Sequence, residues 1–296
     1  MIPAAFDYEL ASSADHALDL LGQHGDEAKL LAGGHSLLPL MRIRLAAPGL
    51  LVDIGRLSEL AYVRDAGDQL AVGALTRHET LHFDDLLNQH CPILAHTVGE
   101  IGDPQVRHRG TIGGSVAHGD PAADVPAVLV ALGATMVVRG QQGQREIAAG
   151  DFFQGLFTTA LEDTELLTEI RVPKTSGMGW SYQKFNPRAQ DWAVVGAAAL
   201  VRRTNGGPTG PSHTGTDHRT VLGAGTAVVT LTNMGERPIR ATAVEQALAS
   251  GADLATASQE AAQGTNPPSD PLGSAEYRRG LAPVLVRRAL EEALSR

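Results

Sequence analysis

Two short glycine turns, Ala32-Gly33-Gly34-His35-Ser36 and Thr111-Ile112-Gly113-Gly114-Ser115, constrain this chain more than any other stretch. Each adjoins apolar sequence and each closes on a serine. Paired glycines remove the Cβ screen from backbone N–H groups, so these donors can converge on one concavity. A helix beginning at the serine adds the positive end of its dipole. One such turn is ordinary loop chemistry. Two of the same form point to opposite walls of one anion site, with a pyrophosphate as the natural guest. Neither turn fits the Gly-x-Gly-x-x-Gly dinucleotide fingerprint, and neither carries the Gly-Lys-Ser/Thr of a P-loop, so the two common nucleotide folds are disfavoured.

The chain around the turns has 296 residues, enough for two or three domains with a sizeable core. Aromatic residues are only 4%, so that core must be built mostly of Leu, Ala and Val. A net charge of −9 argues against nucleic acid and anionic membranes as partners. No apolar run approaches the roughly 20 residues of a membrane helix. The N-terminus carries Asp7 and Glu9 with no basic stretch before an apolar segment, which predicts no signal peptide. A single cysteine, Cys91, excludes internal disulfides, fits a reducing cytoplasm and cannot supply the four thiolates of an iron–sulfur cluster.

Residues 1–55 read as a small β-α-β unit. Ser12 or Ser13 caps a helix with Ala14, Ala17, Leu18 and Leu21 on its apolar face, and Gly25 closes it. Lys29-Leu30-Leu31 is a strand leading into the first glycine turn, Ser36–Leu45 a helix with Pro39 in its first turn, and Leu50–Ile54 a second strand. In residues 56–175, Gln69–Gly73 is a strand and Thr76-x-x-Glu79 a capping box. A helix over 92–101 precedes a loop at Gly102-Asp103-Pro104, and Asp120-Pro121 opens a helix running to Leu132. Strands follow near Thr135–Val138, Arg145–Ile147 and Leu166–Val172. In residues 176–296, Trp192–Val201 and Thr220–Leu231 are β-rich, separated by a Gly/Pro/Thr-rich loop at 204–217, and a helix covers Thr242–Ala249.

The two turns resemble, residue for residue and in order, the AGGHS and TIGGS motifs of the FAD-binding medium subunit of molybdenum hydroxylases, in its carbon monoxide dehydrogenase form within the xanthine dehydrogenase family. The closing stretch Ser274–Arg279 and Leu285–Leu290 is similar to that family's C-terminal helix, with Pro283 implying a kink or a late start. The resemblance covers nearly the whole chain. It implies an α+β fold: a two-part FAD-binding domain of the vanillyl-alcohol oxidase/molybdenum hydroxylase type over 1–175, divided near 55, then a smaller α+β domain over 176–296.

The resemblance also implies a site. Gly33, Gly34, Gly113 and Gly114 lie against the FAD pyrophosphate, with Ala32, Ile112 and the hydroxyls of Ser36, Thr111 and Ser115. His35 sits beside the phosphates without a covalent bond to flavin. Lys29, Leu30, Leu31, Ile101 and Leu167 line the cofactor. Asp124 accepts from ribityl or ribose hydroxyls, Lys184 stabilises reduced flavin, and Trp192 covers the isoalloxazine. Asp120 reads as a helix cap, Arg107 and Arg109 as surface residues, and the remaining histidines lack metal spacing.

No nucleophile–base pair or molybdenum motif is evident, so the chemistry is the flavin's own. By resemblance, electrons pass from [2Fe–2S] clusters in a small partner subunit, fed by a large molybdopterin subunit, through FAD to a terminal acceptor. Two copies of each subunit are implied. Carbon monoxide is the first substrate suggested by the motif forms, with xanthine, aldehydes and N-heterocycles as alternatives. A self-contained oxidase with histidyl-linked FAD and a non-catalytic module whose flavin is incidental are readings from other classes.

Overall fold

The computed structural model describes residues 2–202 and 227–296, so the 204–217 loop and the start of the Thr220–Leu231 run lie outside the described residues. Three sheets carry the architecture, each with its own helices. The first is wholly parallel, with strand Leu50–Asp53 between Asp7–Leu10 and Ala28–Leu31. The edge strand Asp7–Leu10 alternates polar and apolar residues over only four positions and is mostly exposed, too short a run to stand out in the sequence. Helix Ala14–His24 covers this sheet. Ser13 Oγ accepts from His16 N at 3.1 Å, Gly25 at φ 55° ends the helix, and Ala17, Leu18 and Leu21 are buried, as the pattern predicts.

The second sheet is antiparallel, in the order Val63–Ala66, Gln69–Gly73, Leu166–Pro173, Thr135–Gly140, Gly143–Ala148. Helices Pro92–Gly99 and Asp124–Leu132 lie on it, and their apolar residues form the largest core with Leu70, Val72, Met136 and Ile170. Cys91 is in this core, where burial pushes its thiol up to about 12 and makes it inert. The third sheet pairs Met178–Phe185, Val195–Arg202, Ala227–Thr232 and Ile239–Arg240, backed by Thr242–Ala249 and the closing helix Ala275–Ser295. That last helix starts at its Ser274 cap and continues through Pro283, so no late start occurs. Arg278 is fully buried on it, donating to Val194 O at 2.6 Å and to Asp270 Oδ2 at 2.6 Å.

Three local readings are corrected by short-range hydrogen bonds that the sequence left open. Thr76 does not cap: its hydroxyl donates to Gly73 O at 2.7 Å, and helix His78–Phe83 starts from Arg77 without a side-chain cap. Asp120 Oδ1 accepts from Ala122 N at 2.8 Å in a turn, and the following helix begins only at Asp124. The loop read at Gly102-Asp103-Pro104 instead opens helix Pro104–Arg109, capped by Asp103 Oδ1 accepting from Val106 N at 2.9 Å.

One buried cluster joins the second sheet's helices to the third sheet. Lys184 Nζ lies 2.8 Å from Asp124 Oδ2 and donates to Glu100 O at 3.0 Å, with the lysine and aspartate side chains 3% and 4% exposed. Tyr182 Oη donates to Asp124 Oδ1 at 2.6 Å and is 3.3 Å from Thr232 Oγ1. Burial lifts the Asp124 carboxyl above its usual range, against the pull of the Lys184 ammonium and the Tyr182 hydroxyl. The same burial raises the Tyr182 phenol well above its ordinary value, so it stays a donor. Removing one member strands the other charge in the interior. Lys184→Met is therefore expected to lower unfolding free energy by about 3–5 kcal/mol, read by urea denaturation. Adding Asp124→Leu should recover part of that loss.

Candidate functional site

A cavity of ≈ 620 Å³ opens where the three sheets meet, within the range of roughly 300–1,000 Å³ typical of small-molecule sites. It is bounded by the end of strand Ala28–Leu31 and the first glycine turn, by the second turn, by Ile101 and Leu167, and by Lys184 and Trp192 from the third sheet. Of the residues that the sequence nominates, Lys29, Leu30, Leu31, Ala32, Gly33, Gly34, His35, Ser36, Ile101, Thr111, Gly113, Gly114, Ser115, Asp124, Leu167, Lys184 and Trp192 all line it. Ile112 does not. Its side chain is fully buried in the core beneath the second turn, and its N–H donates to Thr76 O at 3.1 Å.

The two turns face each other closely. A Cβ on Gly33 would stand 2.4 Å from Arg109 O and 2.9 Å from Gly110 Cα, and one on Gly114 would come 3.9 Å from Ala32 Cβ. Only glycine lets the strands of the wall approach so far. Arg77 ties this contact down by donating to Arg109 O, and its guanidinium also reaches Gly55 O at 3.5 Å.

In hydrogen bonding the turns differ. In the first, Gly34 sits at φ 77°, and the N–H groups of Gly34, His35 and Ser36 find no acceptor among the described residues. Ser36 does not cap helix Leu37–Arg42, which leaves its hydroxyl uncommitted as well. In the second turn the donors are already taken, by the turn itself and by the segment at Ala74–Thr76. Gly113 N donates to Ala74 O at 2.8 Å, Gly114 N to Thr111 Oγ1 at 3.2 Å, and Ser115 N to Thr111 O at 3.0 Å. Its glycines serve close packing, since a Cβ on Gly113 would lie 2.6 Å from Ala74 O. The expectation of two equivalent donor walls is thus corrected: one wall offers open amides, and the other presents a smooth face whose amides are taken.

Asp124 and Lys184 line the cavity while bonded to one another, so their ion pair forms part of its wall. Trp192, 48% exposed, stands at the rim on a well-anchored stem: Asn233 Nδ2 donates to Ala193 O at 2.7 Å, and Arg278 holds Val194 O. Several lining residues were not legible in the sequence. The hairpin Phe153–Thr159 and the segment after it bring Phe157, Leu161 and Asp163 to the cavity, with Phe157 at φ 52° and its ring 5.0 Å from that of His118. Lys29 Nζ meets Asp163 Oδ1 at 3.0 Å, across 134 residues of chain. His78 also lines the cavity, and burial, aided by Arg107, His35 and Arg77, lowers its imidazole to about 4. No periodicity or spacing marks these positions. Arg107, read from sequence as a surface residue, is instead half-buried, paired with Glu79 at 3.1 Å and bonded to Gly99 O and Ile101 O. Among the described residues no group of three or more His, Cys, Asp or Glu is placed to hold a metal.

This arrangement, open amides at a glycine turn in a partly apolar cavity, suits a guest that carries both an anionic group and apolar rings. Comparison with known proteins agrees. Residues 4–175 match the family described as the FAD binding domain in molybdopterin dehydrogenase, and residues 180–293 match the CO dehydrogenase flavoprotein C-terminal domain. The chain is 39% identical over 299 residues to the carbon monoxide dehydrogenase medium chain of Hydrogenophaga pseudoflava, covering 100% of this chain and 99% of that one. It is also 39% identical over 297 residues to subunit alpha of the 6-hydroxypseudooxynicotine dehydrogenase complex of Paenarthrobacter nicotinovorans, covering 100% and 97%. Its fold superposes with a TM-score of 0.91 on a chain of the carbon monoxide dehydrogenase of Hydrogenophaga pseudoflava, at 39% identity, with 100% and 99% coverage. The chain therefore belongs to the FAD-binding flavoprotein family of the molybdopterin dehydrogenases, the oxidoreductase subunits called medium chains in carbon monoxide dehydrogenase.

Proposed function

We propose that this chain holds FAD in the cavity between its three sheets and relays electrons within a molybdenum-containing hydroxylase, from [2Fe–2S] clusters of a small subunit to a terminal acceptor. The observation that carries the reading is the row of unpartnered N–H groups from Gly34 to Ser36, set opposite the packed turn Thr111–Ser115. Those amides and the Ser36 hydroxyl receive the diphosphate. The apolar wall at Leu30, Ile101 and Leu167 accepts the rings, and the Asp124–Lys184 pair offers a carboxylate oxygen and an ammonium to cofactor hydroxyls or ring oxygens. The flavin supplies the redox chemistry, and the protein supplies binding, orientation and electrostatics. Residues 1–175 form the FAD-binding domain, and 176–296 the C-terminal domain, which adds Lys184 and Trp192 to the cavity wall. The division agrees with where the two matched families meet.

The complex read here contains a large molybdopterin subunit and a small [2Fe–2S] subunit, two copies of each, in the cytoplasm. No helix among the described residues is long and apolar enough to cross a membrane. Carbon monoxide is the first substrate, on the form of the two glycine motifs. Equal identity to a carbon monoxide and a 6-hydroxypseudooxynicotine enzyme subunit fits a substrate site on another polypeptide.

Three experiments test this reading. FAD held by hydrogen bonds leaves the protein on acid precipitation, so the supernatant should be yellow; a yellow, fluorescent pellet would overturn it in favour of a link to His35. Gly34→Ala should weaken FAD binding at least tenfold and cost about 1–2 kcal/mol of stability from its φ of 77°. Gly67→Ala, in a remote turn at φ 85°, carries the same backbone strain without the approach to Leu38 Cδ1, at 2.8 Å, that a Cβ on Gly34 makes, and should leave FAD affinity unchanged. Under anaerobic conditions carbon monoxide should bleach the flavin only in the assembled complex. Bleaching of the isolated chain by carbon monoxide would defeat the relay.

A further inference from the structure

Among the described residues, His78 is the one lining residue with a fully buried side-chain polar atom left without a partner. Its residue is 3% exposed, and Nδ1 is fully enclosed with no hydrogen bond. No acceptor or donor is recorded for Nε2 among the described residues. The main chain of His78 already performs the structural task at this point, since its N–H donates to Gly110 O at 3.1 Å and fastens the segment leading into the second turn. The imidazole is therefore surplus to the fold, and a buried polar ring without a partner destabilises the protein that contains it.

Its place in the cavity is specific. A Cβ on Gly110 would fall 2.8 Å from His78 Cδ2, while Gly110 Cα itself abuts Gly33. The ring thus lies one residue behind the contact between the two turns, at the end of the cavity that holds the open amides. The groups that face it are all cationic or neutral: Arg77 from the preceding position, Arg107 from helix Pro104–Arg109, and His35 from the first turn. Arg107 is already occupied by Glu79 at 3.1 Å. Burial and these neighbours keep the ring neutral at physiological pH, its ordinary value being lowered to about 4. A neutral imidazole has one N–H to give. With Nδ1 enclosed, Nε2 is the nitrogen left to reach the cavity.

Resting on the reading of this cavity as the FAD site, we propose that His78 is a further cofactor-holding residue, a neutral imidazole whose Nε2–H donates to a diphosphate oxygen. It complements the amides of Gly34, His35 and Ser36 from the opposite side and adds no charge. The unsatisfied ring of the cofactor-free protein is then a site preorganised at the expense of stability.

The test uses the full-length chain, freed of flavin and titrated with FAD by fluorescence. A hydrogen bond to an anion implies that His78→Phe binds FAD roughly ten- to a hundredfold more weakly. Its cofactor-free melting temperature should be unchanged or raised, because an unpartnered polar ring has been removed. His78→Gln, which can place an amide N–H near the Nε2 position, should bind FAD within a few-fold of the unaltered chain and serves if the phenylalanine variant does not fold. In ¹⁵N spectra at pH 7, His78 should carry one proton, on Nε2, with and without FAD. Unchanged affinity in both variants, or a doubly protonated ring in the FAD complex, would overturn the inference while leaving FAD binding itself intact. Failure of the unaltered chain to bind FAD would instead overturn the functional reading on which it rests.

Discussion

The buried Asp124–Lys184 pair, with Tyr182 on its second carboxylate oxygen, is the interaction on which the arrangement of this protein depends. It ties the helix Asp124–Leu132 to the strand Met178–Phe185, and so fixes the third sheet against the part of the chain that carries both glycine turns. Ion pairs in a protein interior are poor sources of net stability, because desolvation offsets their attraction. What they do enforce is geometry, since a displaced partner leaves a bare charge. Here the enforced geometry includes a wall of the cavity, so the joint between domains and the lining of the site are the same atoms.

The division of labour between the glycine turns follows from similar reasoning. A diphosphate needs convergent donors, and one turn supplies them by leaving its amides unbonded at a residue with positive φ. Donors left open on both sides would leave further N–H groups of the wall without a partner in the cofactor-free protein. The second turn instead has its amides taken, in part by the carbonyls of Ala74 and Thr76, and uses its glycines to bring the backbone of Ala74 into contact. Two motifs that look alike as sequence have become donor and abutment.

Much of the fold was visible locally. Helices Ala14–His24 and Thr242–Ala249 and strand Gln69–Gly73 follow their patterns, because apolar spacing and caps act over a few residues. Where the reading failed, a side chain had a choice of partners. Thr76 sits in a capping pattern, yet its hydroxyl goes to the carbonyl of Gly73 and its backbone carbonyl to Ile112. Asp120 closes a turn when a helix start was expected. Ile112 occupies a motif but faces the core, since the side chain after an N-cap threonine points beneath the turn.

The sequence alone determined the glycine turns, the family they resemble and, with them, the pocket-lining set from Lys29 to Ser36 and at Asp124, Leu167 and Lys184, because identity and order along the chain carry that information. Only the tertiary structure decided that Asp124 and Lys184, 60 residues apart, answer each other's charge, that Asp163 meets Lys29, and that the buried Nδ1 of His78 finds no partner among the described residues. Pairing and its absence are properties of neighbours in space, set by how three sheets pack. No stretch of chain, however well read, contains its own neighbours.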